Sequence, residues 1–101
     1  MDNERFYGQT SRALAAKVRE AVALPSKEAA KLSTTGLEGD RPVSIECYGR
    51  TDRWNSRYLA YHYYFEGARQ CDGSEADRYW NICGNLLLGY ENVNDRFIAD
   101  Q

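Results

Sequence analysis

Tyr61-His62-Tyr63-Tyr64-Phe65 sets five large side chains in succession, and no single neighbouring element can cover all of them. In a helix, side chains advance about 100° per residue, so these five point right around the axis. In a strand they divide between two faces. Ten of the thirteen aromatics (Trp 2, Tyr 8, Phe 3) lie between Tyr48 and Tyr90. A chain of 101 residues makes one domain, expected to span 1–101 with flexible ends at 1–8 and 94–101. A domain of that size buries only a limited fraction of its surface. The segment therefore carries more aromatic surface than one small core easily hides.

Both periods can be read around this run. Trp54, Tyr58, Tyr61, Phe65 and Ala68 recur at steps of 4, 3, 4 and 3, which is one face of a helix. Leu59, Tyr61, Tyr63 and Phe65 also alternate, and aromatics favour strands. Length decides for a helix over about 53–70. The stretch holds no proline, starts after a possible cap at Asp52, and carries only Gly67 late in its course. A second helix over about 75–90 follows the Cys71-Asp72-Gly73 turn. Ser74 is its expected cap, and Tyr79, Ile82, Cys83, Leu86 and Tyr90 form its face. Gly84 implies close helix packing, and Gly89 is the expected left-handed terminator. The two form an antiparallel helical hairpin.

Upstream, Thr10 or Ser11 caps an expected N-terminal helix over about 11–24, which Pro25 ends. Ser26 caps a shorter helical turn through Leu32, and a loop runs from Ser33 to Pro42. Val43, Ile45 and Cys47 share one side of an expected strand over about 43–48, bounded by Pro42 and Gly49. It has no visible ladder partner within the chain, so a homodimer is one way to complete it. In the polar tail, Val93, Phe97 and Ile98 are placed to dock back. The expected class is α+β, mostly α.

Composition excludes several roles. Hydrophobic residues make up 43%, too many for a disordered chain, and three cysteines are too few for a disulfide scaffold. Met1-Asp2-Asn3-Glu4-Arg5 has no apolar run behind it, and no window approaches a membrane span of about 18 apolar residues. Cys47, Cys71 and Cys83 show no CxxC spacing, so a reducing, cytoplasmic setting is expected, with the thiols as small hydrophobes. The net charge of −2 is an average. Residues 41–69 carry five bases against three acids, and residues 70–101 carry six acids against two bases. Arginine outnumbers lysine ten to three, which favours forked, directional contacts.

Chemistry-bearing patterns are sparse. No nucleophile motif or phosphate-binding glycine loop occurs, so the chain reads as a non-enzyme with no cofactor and no metal. The lone histidine, His62, has Glu66 four residues on. That spacing fits a metal half-site or an acid–base pair, but lacks the third and fourth ligands. A small metal protein or enzyme centred on His62 is thus the third reading. The second is a nucleic-acid-associated protein: Arg50, Arg53 and Arg57, at i, i+3 and i+7 around Trp54, would form a basic stripe able to grip phosphates and stack a base. The leading reading is a small protein-binding module that acts by occupying a partner's surface. A phage or mobile-element accessory or inhibitor protein directed at a host complex is its sharper form. Tyr and Arg dominate interface hot spots. The expected contact residues are Tyr63, Tyr64 and Tyr48 with Arg53 and Arg57, while Trp54, Tyr58, Tyr61, Phe65, Tyr79 and Trp80 are expected in the core.

Overall fold

The computed structural model describes Ala15, Ala16, Arg19, Glu20 and residues 40–96. Its elements run β1 (Val43–Cys47), β2 (Arg50–Trp54), α1 (Arg57–Gln70), α2 (Gly73–Leu87) and β3 (Asn92–Asn94). The helical hairpin is present, with both helices shorter than expected. The sheet is a correction: the expected lone strand is the centre of three, in the order β2-β1-β3. Of the expected N-terminal helix, the four described residues are helical and the rest lies outside the described residues. Ala15 is buried, and Arg19 forms an ion pair with Asp77 of α2. The 1–8 end, the short turn after Pro25, Phe97 and Ile98 also lie outside the described residues.

The β1–β2 hairpin explains why a helix does not start at residue 53. Tyr48 and Gly49 have φ values of 55° and 79°. Two successive left-handed residues make the tight turn whose twist matches antiparallel strands. β2 then pairs back on β1, with Val43 opposite Trp54, Ile45 opposite Asp52 and Cys47 opposite Arg50. Residues directly opposite share a face. Arg50, Asp52 and Trp54 therefore lie on the face that carries Val43 and Ile45, where the helices pack.

Helix α1 begins at Arg57 because Ser56, not Asp52, caps it: Ser56 Oγ accepts the Leu59 N–H at 3.1 Å. The first turn has no acid of its own. Asp40 supplies one across the chain, accepting from Ser56 Oγ and from the Tyr58 N–H at 2.9 Å. A carboxylate there complements the positive end of the helix dipole. Starting at Arg57 fixes the buried stripe as Arg57, Ala60, Tyr61, Tyr64, Phe65 and Ala68. Tyr58 is displaced to the margin. Tyr64, expected at the surface, is 4% exposed.

The second helix starts at Gly73, with Asp72 rather than Ser74 at the cap position and Glu75 in its first turn. Gly89, at φ 88°, ends it as expected, with its N–H on the Leu86 carbonyl. Gly84 is buried, but a tight glycine contact between the helices lies at Gly67. A Cβ there would stand 3.3 Å from the Tyr79 ring.

Strand β3 pairs in parallel with β1, Val93 beside Ile45. Its carbonyls are held by α2. Buried Asn85 donates from Nδ2 to Asn94 O at 2.8 Å and Arg96 O at 2.6 Å, and Asn81 donates to Asp95 O at 3.0 Å. Residues 94–96, at the start of the end expected to be flexible, make these contacts. Val43, Ile45, Val93, Tyr61, Phe65, Trp80, Ile82, Leu86 and Leu87 form the core.

Arg57, an expected contact residue, is wholly buried. Its Nη2 donates to Tyr90 O at 2.6 Å, while Nε and Nη1 have no partner. Burial, then the charge of Arg41, pulls its pKa down, against a smaller opposing pull from Glu91. A buried, incompletely paired cation is a net cost to folding. We expect Arg57→Met to match wild-type stability within about 1 kcal/mol or to exceed it, as measured by urea denaturation. In contrast, Asn85→Ala removes a wholly buried side chain together with the donor to the Asn94 and Arg96 carbonyls, and is expected to lose about 2–4 kcal/mol in the same assay.

Candidate functional site

The helices cover β1 and β3 but leave the inner face of β2 partly open. Arg50, Asp52 and Trp54 alternate onto that face, while Thr51 and Arg53 point to the other. An open cleft of about 370 Å³ results. Trp54, Asp52 and Arg50 form its floor, Tyr63 and Tyr64 of α1 and Tyr79 of α2 form its walls, and the Cys47-Tyr48 end of the hairpin closes it.

Its rings form a connected series. Trp54 lies 5.3 Å from Tyr63, Tyr63 lies 5.0 Å from Tyr64 at nearly a right angle, and Tyr64 lies 5.6 Å from Tyr79. Tilted and edge-on contacts at these separations set the positive edge of one ring on the negative face of the next. The series is graded in exposure: Tyr63 is 58% exposed and Tyr48 56%, Trp54 and Tyr79 are half-buried, and Tyr64 is closed over. Tyr64 is thus the inner support on which exposed Tyr63 stands. The Trp54 indole N–H lies beside the Tyr64 hydroxyl without reaching hydrogen-bonding geometry. Burial pushes the Tyr64 phenol up to about 12, with smaller contributions from Cys47 and Asp52.

Tyr48 is fixed from below. Its backbone N–H donates to Asp95 Oδ2 at 3.1 Å, and the same oxygen accepts from Arg78 Nη1 at 2.7 Å. The Arg78 guanidinium in turn lies 4.5 Å from the centre of the Tyr48 ring. Burial raises the Asp95 pKa, but the Tyr48 N–H and Arg78 outweigh it and hold the carboxyl below its ordinary value. Cys47 is pushed up to about 11, first by burial and then by the Asp95 charge. It stays a thiol at neutral pH and is a poor nucleophile.

The structure sorts the expected site residues as follows. Tyr48 and Tyr63 are exposed and flank one cleft. Arg50 and Trp54 share its floor. Arg53 lies on the opposite sheet face, where it donates to Ser44 Oγ at 3.2 Å, and Arg57 is in the core. The basic stripe of Arg50, Arg53 and Arg57 is therefore not formed, since two of its members are in a strand that sends them to opposite faces. His62 is exposed on α1, and Glu66 pairs with Arg69 at 3.6 Å. Among the described residues no three His, Cys, Asp or Glu side chains are grouped to hold a metal. Asp52, Tyr79 and Cys47 were missed as cleft residues. Their signal was the register of β2, set by the Tyr48-Gly49 turn.

Compared with protein-family models, with curated proteins and with solved structures, the chain matches none. Among the described residues no helix is long and apolar enough to cross a membrane.

The Asp95 contacts make a pH-dependent contribution. A carboxyl held below its unfolded value of about 3.9 stabilises the fold above that pH, and loses the contribution as pH falls through its folded value. The stability difference between wild type and Asp95→Asn should be largest above about pH 5 and narrow below about pH 4. Urea midpoints of the two proteins measured from about pH 6 down to about pH 3 check it.

Proposed function

We propose that this protein is a small, non-enzymatic binding module, and that the aromatic cleft between β2 and the helical hairpin is where a protein partner docks. The observation that carries the reading is the placement of Tyr63 and Tyr48. These two exposed rings, on different elements, flank one concave site with half-buried Trp54 between the strands and the helix. Rigid aromatic side chains give large contact area at small entropic cost, and a ring already packed on a buried neighbour loses little more on binding. A surface-occupying role, such as an inhibitor of a host complex, fits a module whose chemistry is confined to rings and charges. Arg50 stands beside this cleft as a further contact.

Nucleic-acid binding through the same floor, with Trp54 stacking a base, is less well supported. One rim arginine neutralises a single phosphate, and Asp52 stands next to it.

The test is affinity capture from the native host cell with mass spectrometry, comparing wild type with Tyr63→Ala and Tyr64→Ala. Tyr63→Ala is expected to lose the captured partner at an unchanged thermal midpoint, because its ring is exposed. Tyr64→Ala is expected to lower the midpoint as a core truncation, by about 3 kcal/mol or more of stability. Retained capture by Tyr63→Ala at full stability would overturn the reading.

A further inference from the structure

The chemistry of the cleft narrows what enters it. Its walls are aromatic side chains, whose ring faces carry negative charge density. Its floor holds Asp52, whose carboxylate has no ion-pair or hydrogen-bond partner among the contacts of the described residues. Carboxylates stand near its groups: Asp52 acts on Tyr64 and Cys47, Glu75 on Tyr48 and Tyr79, and Asp95 on Tyr48 and Cys47. Arg78 opposes them but is held by Asp95 at 2.7 Å. Arg50, on the same floor, is exposed. The stack of Arg78 on Tyr48, at 4.5 Å, shows a guanidinium already accommodated against one of these rings.

A second observation concerns the strand beside the cleft. The Ser44 N–H donates to Glu91 O at 3.0 Å, toward β3. Successive residues of a strand direct their backbone groups to opposite sides, so Val43, Ile45 and Cys47 face β2. The groups of Arg50, Asp52 and Trp54 answer them, and those of Thr51 and Arg53 point away from the sheet. Among the described residues β2 pairs with β1 alone. Among the described residues no strand pairs with its outer edge, a row of donors and acceptors directly beside the cleft.

Resting on the protein-binding reading above, we propose that the partner contributes an extended segment that adds to β2 as a fourth strand and places an arginine or lysine side chain in the aromatic cleft over Asp52. Main-chain bonds to Thr51 and Arg53 supply register, and alternate side chains of the added strand fall on the cleft side. The cation meets the faces of Trp54 and Tyr63 and the carboxylate of Asp52, in a site partly withdrawn from water where such contacts strengthen.

The experiment titrates three end-blocked nine-residue peptides of alternating threonine and valine, with arginine, norleucine or glutamate at the centre. Amide and indole N–H resonances of the full chain are followed by NMR. The arginine peptide is expected to shift the Trp54 indole and the Thr51 and Arg53 amides, binding about tenfold tighter than the norleucine peptide. Asp52→Asn and Tyr63→Leu are each expected to weaken the arginine peptide severalfold at unchanged thermal midpoint, since both side chains are exposed. Equal or tighter binding of the norleucine or glutamate peptide overturns the inference. So does the absence of shifts at millimolar arginine peptide, or an Asp52→Asn variant that binds as wild type. If the peptides fail while Tyr63→Ala still loses the cellular partner, the cation is refuted and the docking surface stands. If Tyr63→Ala retains that partner, the docking surface itself falls.

Discussion

Sheet and helices are joined through five residues, 92–96. Val93 fills the core beside Ile45, and the strand around it lies parallel to β1, so it cannot be reached by a tight turn. It is held instead by α2: Asn85 and Asn81 spend their amide donors on the carbonyls of Asn94, Asp95 and Arg96. Asp95 then reaches the other way, to the Tyr48 N–H and to Arg78. One short segment thus closes the sheet, seats the second helix on it and fixes the hairpin tip that bounds the cleft. Buried amide and carboxylate bonds are directional, so they set geometry where apolar packing alone would allow sliding.

The cleft follows from an imbalance in coverage. Two helices span the β1–β3 half of the sheet, and β2 extends past them. An edge strand whose inner face carries Arg50 and Asp52 is protected against indiscriminate pairing, because an added strand must accommodate charge. The same residues, together with Trp54, give the open region its chemistry. The same side chains therefore guard the edge and set the charge of the cleft.

What could be read from the sequence divides along the same line. The helical hairpin was legible because α1 and α2 alternate core and solvent at the helical period, and Tyr61, Phe65, Trp80 and Leu86 are buried. Tyr48 and Tyr63 were legible as surface. The hairpin β1–β2 was not: its turn is Tyr48-Gly49 rather than a sequence such as Asn-Gly, and β2 shows no apolar alternation because the described helices leave its inner face partly open. Trp54 then fell in step with Tyr58 and Tyr61 and lent a strand the appearance of a helix. That shift of the start also misplaced Arg57 and Tyr64, since four residues at the head of a helix decide which side chains share its buried stripe. β3 carries a single buried apolar residue and pairs with a strand 48 positions earlier, so Val93 was read as part of a tail that docks back rather than as a strand.

Gly67 gives the cleft an adjustable dimension. The Tyr79 ring packs on Gly67, where a Cβ would stand 3.3 Å from it, and Tyr79 also lines the cleft. The position of that ring is therefore tied to the absence of a side chain at 67. Adding one methyl group there would press the ring away by a few tenths of an ångström, and so reshape the cleft while every residue that lines it stays the same.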